Sequence, residues 1–152
     1  MEPALFYGRR EGTYACFSNF YPAEFVLRDI RFACSEQALM YGKSKDPEYR
    51  KKVLATTDPY RVKKLGRACV LRPDWDHIKY SWMVEVLKAK FSQNPALKEL
   101  LLLTGDRPVH EDCPDEWWGG GPNYPRGRDL LGRALMEVRS WLRSQEGTCS
   151  SG

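Results

Sequence analysis

In the run Phe25-Val26-Leu27-Arg28-Asp29-Ile30-Arg31-Phe32, Phe25 and Leu27 fall on alternate positions, and Ile30 and Phe32 do the same beyond Arg28-Asp29. A period of two on each side of a polar pair reads as a β-hairpin with one buried face. The period then changes. Ser35-Glu36-Gln37-Ala38-Leu39-Met40-Tyr41-Gly42-Lys43 reads as a helix, with Ser35 as its N-cap and Glu36 at the positive end of the helix dipole. It is expected to run to about Lys45, where Asp46-Pro47 stops it.

Downstream, helix follows helix. A second, short one begins near Glu48. Asp58-Pro59 supplies a cap and a proline at the first helical position, and Gly66 closes that turn. Pro73-Asp74-Trp75-Asp76 opens a helix with Ile78, Trp82, Met83, Val86, Leu87 and Phe91 at helical spacing. Asn94-Pro95 breaks it, and a leucine-rich helix ends at Thr104-Gly105. Val109-His110-Glu111 reads as a short strand. Cys113 to Arg128 holds four glycines and three prolines and is a loop. A last helix starts at Asp129 and buries Leu131, Ala134, Leu135, Val138, Trp141 and Leu142. This order has no βαβ alternation. It predicts an α+β fold, mostly helical, with a small antiparallel hairpin near the N-terminus.

At 152 residues and with 42% apolar and 29% charged residues, the chain is expected to form one domain over residues 1–143, with a flexible polar tail over 144–152. No apolar run approaches the roughly 20 residues of a membrane span, and Met1-Glu2-Pro3-Ala4-Leu5 does not resemble a secretory leader. The net charge of +4 suits an anionic ligand without requiring one. Five cysteines without C-x-x-C spacing read as reduced thiols of a cytoplasmic or nuclear protein, and two histidines give little support to a metal site.

Three segments hold residues that packing does not ask for. Phe17-Ser18-Asn19-Phe20-Tyr21-Pro22 sets Ser and Asn among aromatic rings, either beside a ligand or as a turn anchored by buried rings. Glu36 and Lys43 stand seven residues apart on one helix face, ~10.5 Å of rise, with Met40 between them. Spacing alone favours a solvated face with a snorkelling lysine over a cleft. The third segment joins the carboxylates Glu111, Asp112, Asp115 and Glu116 to Trp117-Trp118-Gly119-Gly120-Gly121. Carboxylates hold ribose hydroxyls or move protons, an indole stacks on a base, and glycine lets backbone approach a phosphate. The alternative is an acidic surface loop plugged into the core by one tryptophan. The basic cluster Lys51-Lys52 and Arg61 to Lys64 reads as a solvated face, with phosphate guidance as the other reading. No dinucleotide, P-loop, zinc-protease or serine-hydrolase motif occurs.

Taken in order, F-S-N-F-Y-P, S-E-Q-A-L-M-Y-x-K, L-G-R with D-W-D, K-F-S-Q-N-P, T-G-D, E-x-x-x-D-x-x-W-G-G-G and L-G-R-A-L-M-E-V-R resemble the NADAR family of N-glycosidases from Phe17 to Arg139. The resemblance implies hydrolysis of a bond between ribose C1 and nitrogen. Implied substrates are ADP-ribosylated guanine, in a nucleotide or in nucleic acid, and ribosylaminopyrimidine phosphates of riboflavin synthesis. It places catalysis on Lys43, Glu36, Glu111 and Asp115, with Lys43 as an imine-forming amine. Substrate binding is placed on Ser18, Asn19, Phe20, Trp118, Gly119, Gly120 and Asp129. No cofactor, metal or membrane is implied, and a monomer is expected. What lowers the pKa of Lys43 stays open, as does the alternative of a module that binds ADP-ribose or a nucleotide without cleaving it. Three positions depart from the family pattern: Gln37 where His is common, Val109-His110 before the loop glutamate, and Asp129 where Asn is usual. Asp129 is expected to cap the last helix as Asn would.

Overall fold

The computed structural model describes residues 1–8 and 12–150, with the backbone alone after Glu146. Strands β2 (Phe25–Leu27) and β3 (Ile30–Phe32) pair antiparallel, Phe25 opposite Phe32 and Leu27 opposite Ile30. The turn residues Arg28 and Asp29 both have positive φ, 51° and 66°. Two left-handed residues in a two-residue loop match the right-handed twist of the strands they join. The hairpin buries Phe25 and Phe32, whose ring centroids lie 5.6 Å apart.

Among the described residues six α-helices follow: α1 (Ser35–Gly42), α2 (Pro47–Leu54), α3 (Pro59–Ala68), α4 (Trp75–Gln93), α5 (Pro95–Leu103) and α6 (Leu130–Ser150). Asp46 and Asp58 cap α2 and α3 by accepting from the backbone N–H groups of Tyr49 and Tyr60, each with proline at the first turn. The core gathers Met83, Val86, Leu87 and Phe91 of α4 with Leu131, Ala134, Leu135, Val138 and Leu142 of α6. No described helix is long and apolar enough to cross a membrane. Cys16, Cys34, Cys69 and Cys113 carry free thiols.

Several sequence expectations are corrected. The N-cap of α1 is Cys34, in an extended conformation; Ser35 is the first helical residue, and its hydroxyl faces the buried Lys90. The helix ends at Gly42, not Lys45, because the Lys43 carbonyl accepts from the Arg72 N–H, outside the helical ladder. Apart from these corrections, α6 runs from Leu130 to Ser150 and so spans the expected boundary at residue 143. Residues 151–152 lie outside the described residues. A second sheet is also present. Strands β1 (Ala4–Phe6) and β4 (Val109–Glu111) pair parallel, Ala4 with Val109 and Phe6 with Glu111. Two short strands so far apart along the chain leave no local signal of their pairing.

Helix α1 is wedged between α3 and α4. A Cβ on Gly42 would run into the Trp82 indole, whose Nε1 donates to the Ala38 carbonyl at 2.9 Å. A Cβ on Gly66 of α3 would collide with the Met40 thioether. Two glycines therefore let two helices close on α1 from both sides. The result overturns the solvated-face reading: every α1 residue except Tyr41 is buried.

Candidate active site

The burial of α1 turns its polar residues inward. Glu36, from its first turn, and Lys43, just past its end, open into one cavity of about 540 Å³. Leu39 and Met40 between them form an apolar floor. Ser18, Asn19 and Phe20 line one side, and Glu111, Asp115 and Trp118 another. Glu111 arrives through β4, held by the parallel pairing to β1. The Ser18–Phe20 segment is fixed to α1 by the Glu36 N–H, which donates to the Asn19 carbonyl at 2.9 Å. Below it, Lys90 is wholly buried and donates to the Ser18 carbonyl at 3.1 Å. Asn19 Nδ2 approaches Met83 Sδ at 3.7 Å, and its buried Oδ1 has no protein partner.

Electrostatics in the cavity are governed by burial. Glu36 is pushed up to about 7, first by desolvation and then by Glu111 and Asp115, against the pull of Lys63 and Lys43. Its place at a helix N-terminus favours the anion, but loss of water is the larger effect. Glu111 is likewise raised to about 7 by burial and by Asp115, partly offset by the Cys113 thiol, which donates to it at 3.0 Å. The Lys43 amine is lowered, chiefly by desolvation and further by the nearby Arg67 cation, while Glu36 opposes the shift. Burial is thus the main cause that the sequence left open. Two carboxyls near their midpoint and an amine biased toward its neutral form suit proton transfer and nucleophilic attack.

The loop after β4 is built by its own backbone. Asp115 Oδ1 accepts from the N–H groups of Trp117 and Trp118, both at 2.9 Å, which turns the chain so that Trp118 faces the cavity. Trp117 points elsewhere, clamped between Lys79 Nζ, 3.3 Å from its ring centroid, and the Arg128 guanidinium at 3.8 Å. One tryptophan anchors the loop to α4 and the other lines the site.

Gly119, Gly120 and Asp129 do not line the cavity; they form the layer behind its wall. A Cβ on Gly119 would stand 2.6 Å from Cys113 Sγ, and one on Gly120 2.6 Å from the Asp129 Cβ. These glycines permit backbone-to-backbone packing within the loop. Asp129, at φ 54°, turns its carboxylate to His110, with Nδ1 and Oδ2 2.7 Å apart, instead of capping α6. Two of the three departures from the family pattern therefore touch each other. The third, Gln37, lies outside the cavity: it accepts from the Ala33 N–H and donates to the carbonyls of Val53 and Thr56.

Sequence reasoning missed Tyr7, Tyr60, Lys63 and Arg67, all of which line the cavity. Lys63 belongs to the cluster read as a solvated face or, alternatively, as phosphate guidance, and Arg67 lies next to it. Their i, i+4 spacing beside Gly66, the residue that lets α3 close on α1, was the available signal.

Residues 5–143 match the NADAR domain. The chain is 37% identical over 137 residues to N-glycosidase Npun_R5314 of Nostoc punctiforme, covering 86% of this chain and 87% of that protein. It is 32% identical over 132 residues to N-glycosidase YbiA of Escherichia coli, covering 85% and 82%. The NMR structure of that YbiA superposes with a TM-score of 0.83 over 96% of this chain and 89% of the other, at 29% identity. Riboflavin biosynthesis protein VVA0006 of Vibrio vulnificus is 32% identical over 146 residues, which span 94% of this chain and 40% of that longer protein.

Proposed function

Because the chain belongs to the NADAR family, we propose that its cavity hydrolyses an N-glycosyl bond, and that the bond joins ribose C1 to guanine in an ADP-ribosylated nucleotide or nucleic acid. The observation that carries this reading is the opening of the Lys43 amine into the same cavity as Glu36 and Glu111. In its neutral form the Lys43 amine attacks C1. The C1–base bond breaks, its electron pair leaves with the base nitrogen, and a protonated Glu36 or Glu111 delivers the proton. The amine passes one proton to the other carboxylate, which hands it on to the ring oxygen as the bond from C1 to that oxygen opens, and C1 is left as a protonated imine on Nζ. Water adds to C1 and gives one proton back to the carboxylate that had protonated the base, and the amine departs as neutral lysine, so the net change is one water consumed and the free sugar and free base released. Trp118 stacks on the leaving base, and Asn19 and Asp115 hold ribose hydroxyls.

A second substrate is supported by the name of the Vibrio relative: a ribosylaminopyrimidine phosphate, which has the same C1–nitrogen bond.

The test pairs two substrates with a trap. ADP-ribosylated guanosine and a ribosylaminopyrimidine phosphate are each incubated with the protein, and products are separated by chromatography. Borohydride added during turnover should fix a covalent adduct on Lys43, found by peptide mass mapping. Full activity in Lys43→Ala with no adduct in the parent removes Lys43 from the mechanism. Absence of product from both substrates overturns the enzyme reading.

A further inference from the structure

Across α1 from the catalytic cavity lies another hollow, of about 310 Å³, and the two share no lining residue. Glu36, Met40 and Lys43 face the cavity, whereas Tyr41 and Gly42 line this hollow. Leu27, Ile30 and Phe32 of the hairpin give it an apolar wall, and Tyr41 of α1 and Trp82 of α4 give it rings. The Trp82 ring is held in place by the bond from its Nε1 to the Ala38 carbonyl.

Three arginines reach the hollow from three parts of the chain: Arg28 from the β2–β3 turn, Arg50 from α2, and Arg72 from the link between α3 and α4. Among the described residues, Glu85 is the only carboxylate that lines it. Arg28 and Arg72 each donate two hydrogen bonds to a carboxylate, that of Glu85 and that of Asp74. Arg50 is different. Its Nε donates to the Ser44 carbonyl at 2.7 Å, and its guanidinium lies 4.3 Å from the centroid of the Tyr41 ring. These contacts fix the plane of the group and leave Nη1 and Nη2 without a partner among the described residues. A half-buried guanidinium held in one plane loses little further freedom on binding, and its open fork matches two oxygens of a phosphate. Arg28 can join it: its side chain is 68% exposed, so its pair with Glu85 is weak and the guanidinium is free to turn toward a ligand.

We propose that this hollow is a second binding site, which takes a nucleoside monophosphate, with the phosphate on Arg50 and Arg28 and the base between the apolar wall and the Trp82 ring. An excess of cations over acid selects an anion, and an apolar wall edged by rings selects a flat body. The volume lies at the lower end of the ~300–1,000 Å³ of small-molecule sites, which suits one nucleotide. A backbone bond joins this site to the catalytic one: the Arg72 N–H donates to the Lys43 carbonyl at 2.8 Å. Binding is therefore felt at Lys43 although the ligand does not enter the cavity. The proposal goes beyond the N-glycosidase reading and does not depend on it.

The test uses the isotopically labelled full chain and amide NMR with four probes: AMP, adenosine, inorganic phosphate and a short deoxyadenylate strand. AMP should shift the amides of Gly42, Ser81 and Trp82 and the Trp82 indole N–H. It should bind at least about tenfold more tightly than adenosine or phosphate, each of which makes only half of the contacts. AMP that also enters the cavity would shift Asn19 and Trp118, and two variants separate the events. Arg50→Met should weaken the response of the hollow at least about tenfold and spare the cavity, and Lys63→Met should do the reverse. A strand that shifts the same hollow amides and binds more tightly than AMP supports the site with a nucleic-acid unit as its occupant; one that binds no better supports it with a free nucleotide. Hollow amides silent to millimolar AMP, AMP binding no tighter than phosphate, or unchanged affinity in Arg50→Met overturns the proposal. The mapping on the parent chain needs no variant, so a folding defect in Arg50→Met does not blunt it. Base release by a protein whose hollow stays silent would sink this site and leave the enzyme reading standing.

Discussion

The backbone N–H of Glu36 donates to the carbonyl of Asn19 at 2.9 Å, locking the first turn of α1 to the loop that forms the opposite side of the cavity. The bond uses no side-chain atom of either residue. Changes to the Glu36 carboxyl therefore alter the chemistry of the site without releasing the loop.

Glu36→Gln and Glu111→Gln should each keep the fold and lower kcat by about 10²–10⁴-fold, the usual contribution of a positioned acid or base. If one carboxyl protonates the leaving base and the other receives protons from the amine, the two variants lose opposite limbs of the pH–rate profile. Steady-state rates between pH 5 and 9 check this, and an unchanged profile in both variants removes the pair from proton transfer.

Stability should respond to pH through the same two groups. Both are raised from 4.5 to about 7 by burial. Between those values the folded chain holds protons that the unfolded chain has released, so stability falls as pH rises through that window. Glu36→Gln cannot ionise and escapes its share of the loss. It should melt well above the parent at pH 8, by on the order of 3 kcal/mol, and close to it at pH 5. Calorimetry at the two pH values decides, and an equal difference at both would refute the burial account of Glu36.

Gly119→Ala should cost about 1–3 kcal/mol, because the new methyl meets the backbone carbonyl and the thiol of buried Cys113. Since the loop backbone sets the direction of Trp118, the variant should also change tryptophan fluorescence and raise KM. A fully stable Gly119→Ala with parental kinetics would show that the packing behind the wall is slack.

Lys90→Met tests the support beneath the Ser18–Phe20 segment. Lys90→Met removes the desolvation cost of a buried cation and also its hydrogen bonds to the Ser18 carbonyl and the Ser35 hydroxyl, effects of opposite sign, so the melting temperature should change little. The Ser18 carbonyl loses its 3.1 Å donor, and the segment loosens. KM should rise while kcat moves less; a parental KM would leave Lys90 a packing residue only.

Much of this molecule could be read locally. The Phe25–Phe32 alternation, the Asp46-Pro47 and Asp58-Pro59 caps and the apolar spacing of α4 and α6 depend on neighbours within a few positions, where propensity and periodicity act. Glu36, Lys43, Glu111, Asp115 and Trp118 stood out by type and by resemblance to a family. Their meeting in one cavity did not, because it depends on distant packing. Helix α1 is buried because Gly42 and Gly66 let α4 and α3 close on it, which turned a helix resembling a surface one into the floor of a site. Glu111 reaches the cavity through the parallel pairing of β1 with β4, and the His110–Asp129 contact forms across the base of the loop. Sequence spacing measures distance along the chain, whereas desolvation, which sets the charge on Glu36, Glu111 and Lys43, depends on what surrounds them once the chain has closed.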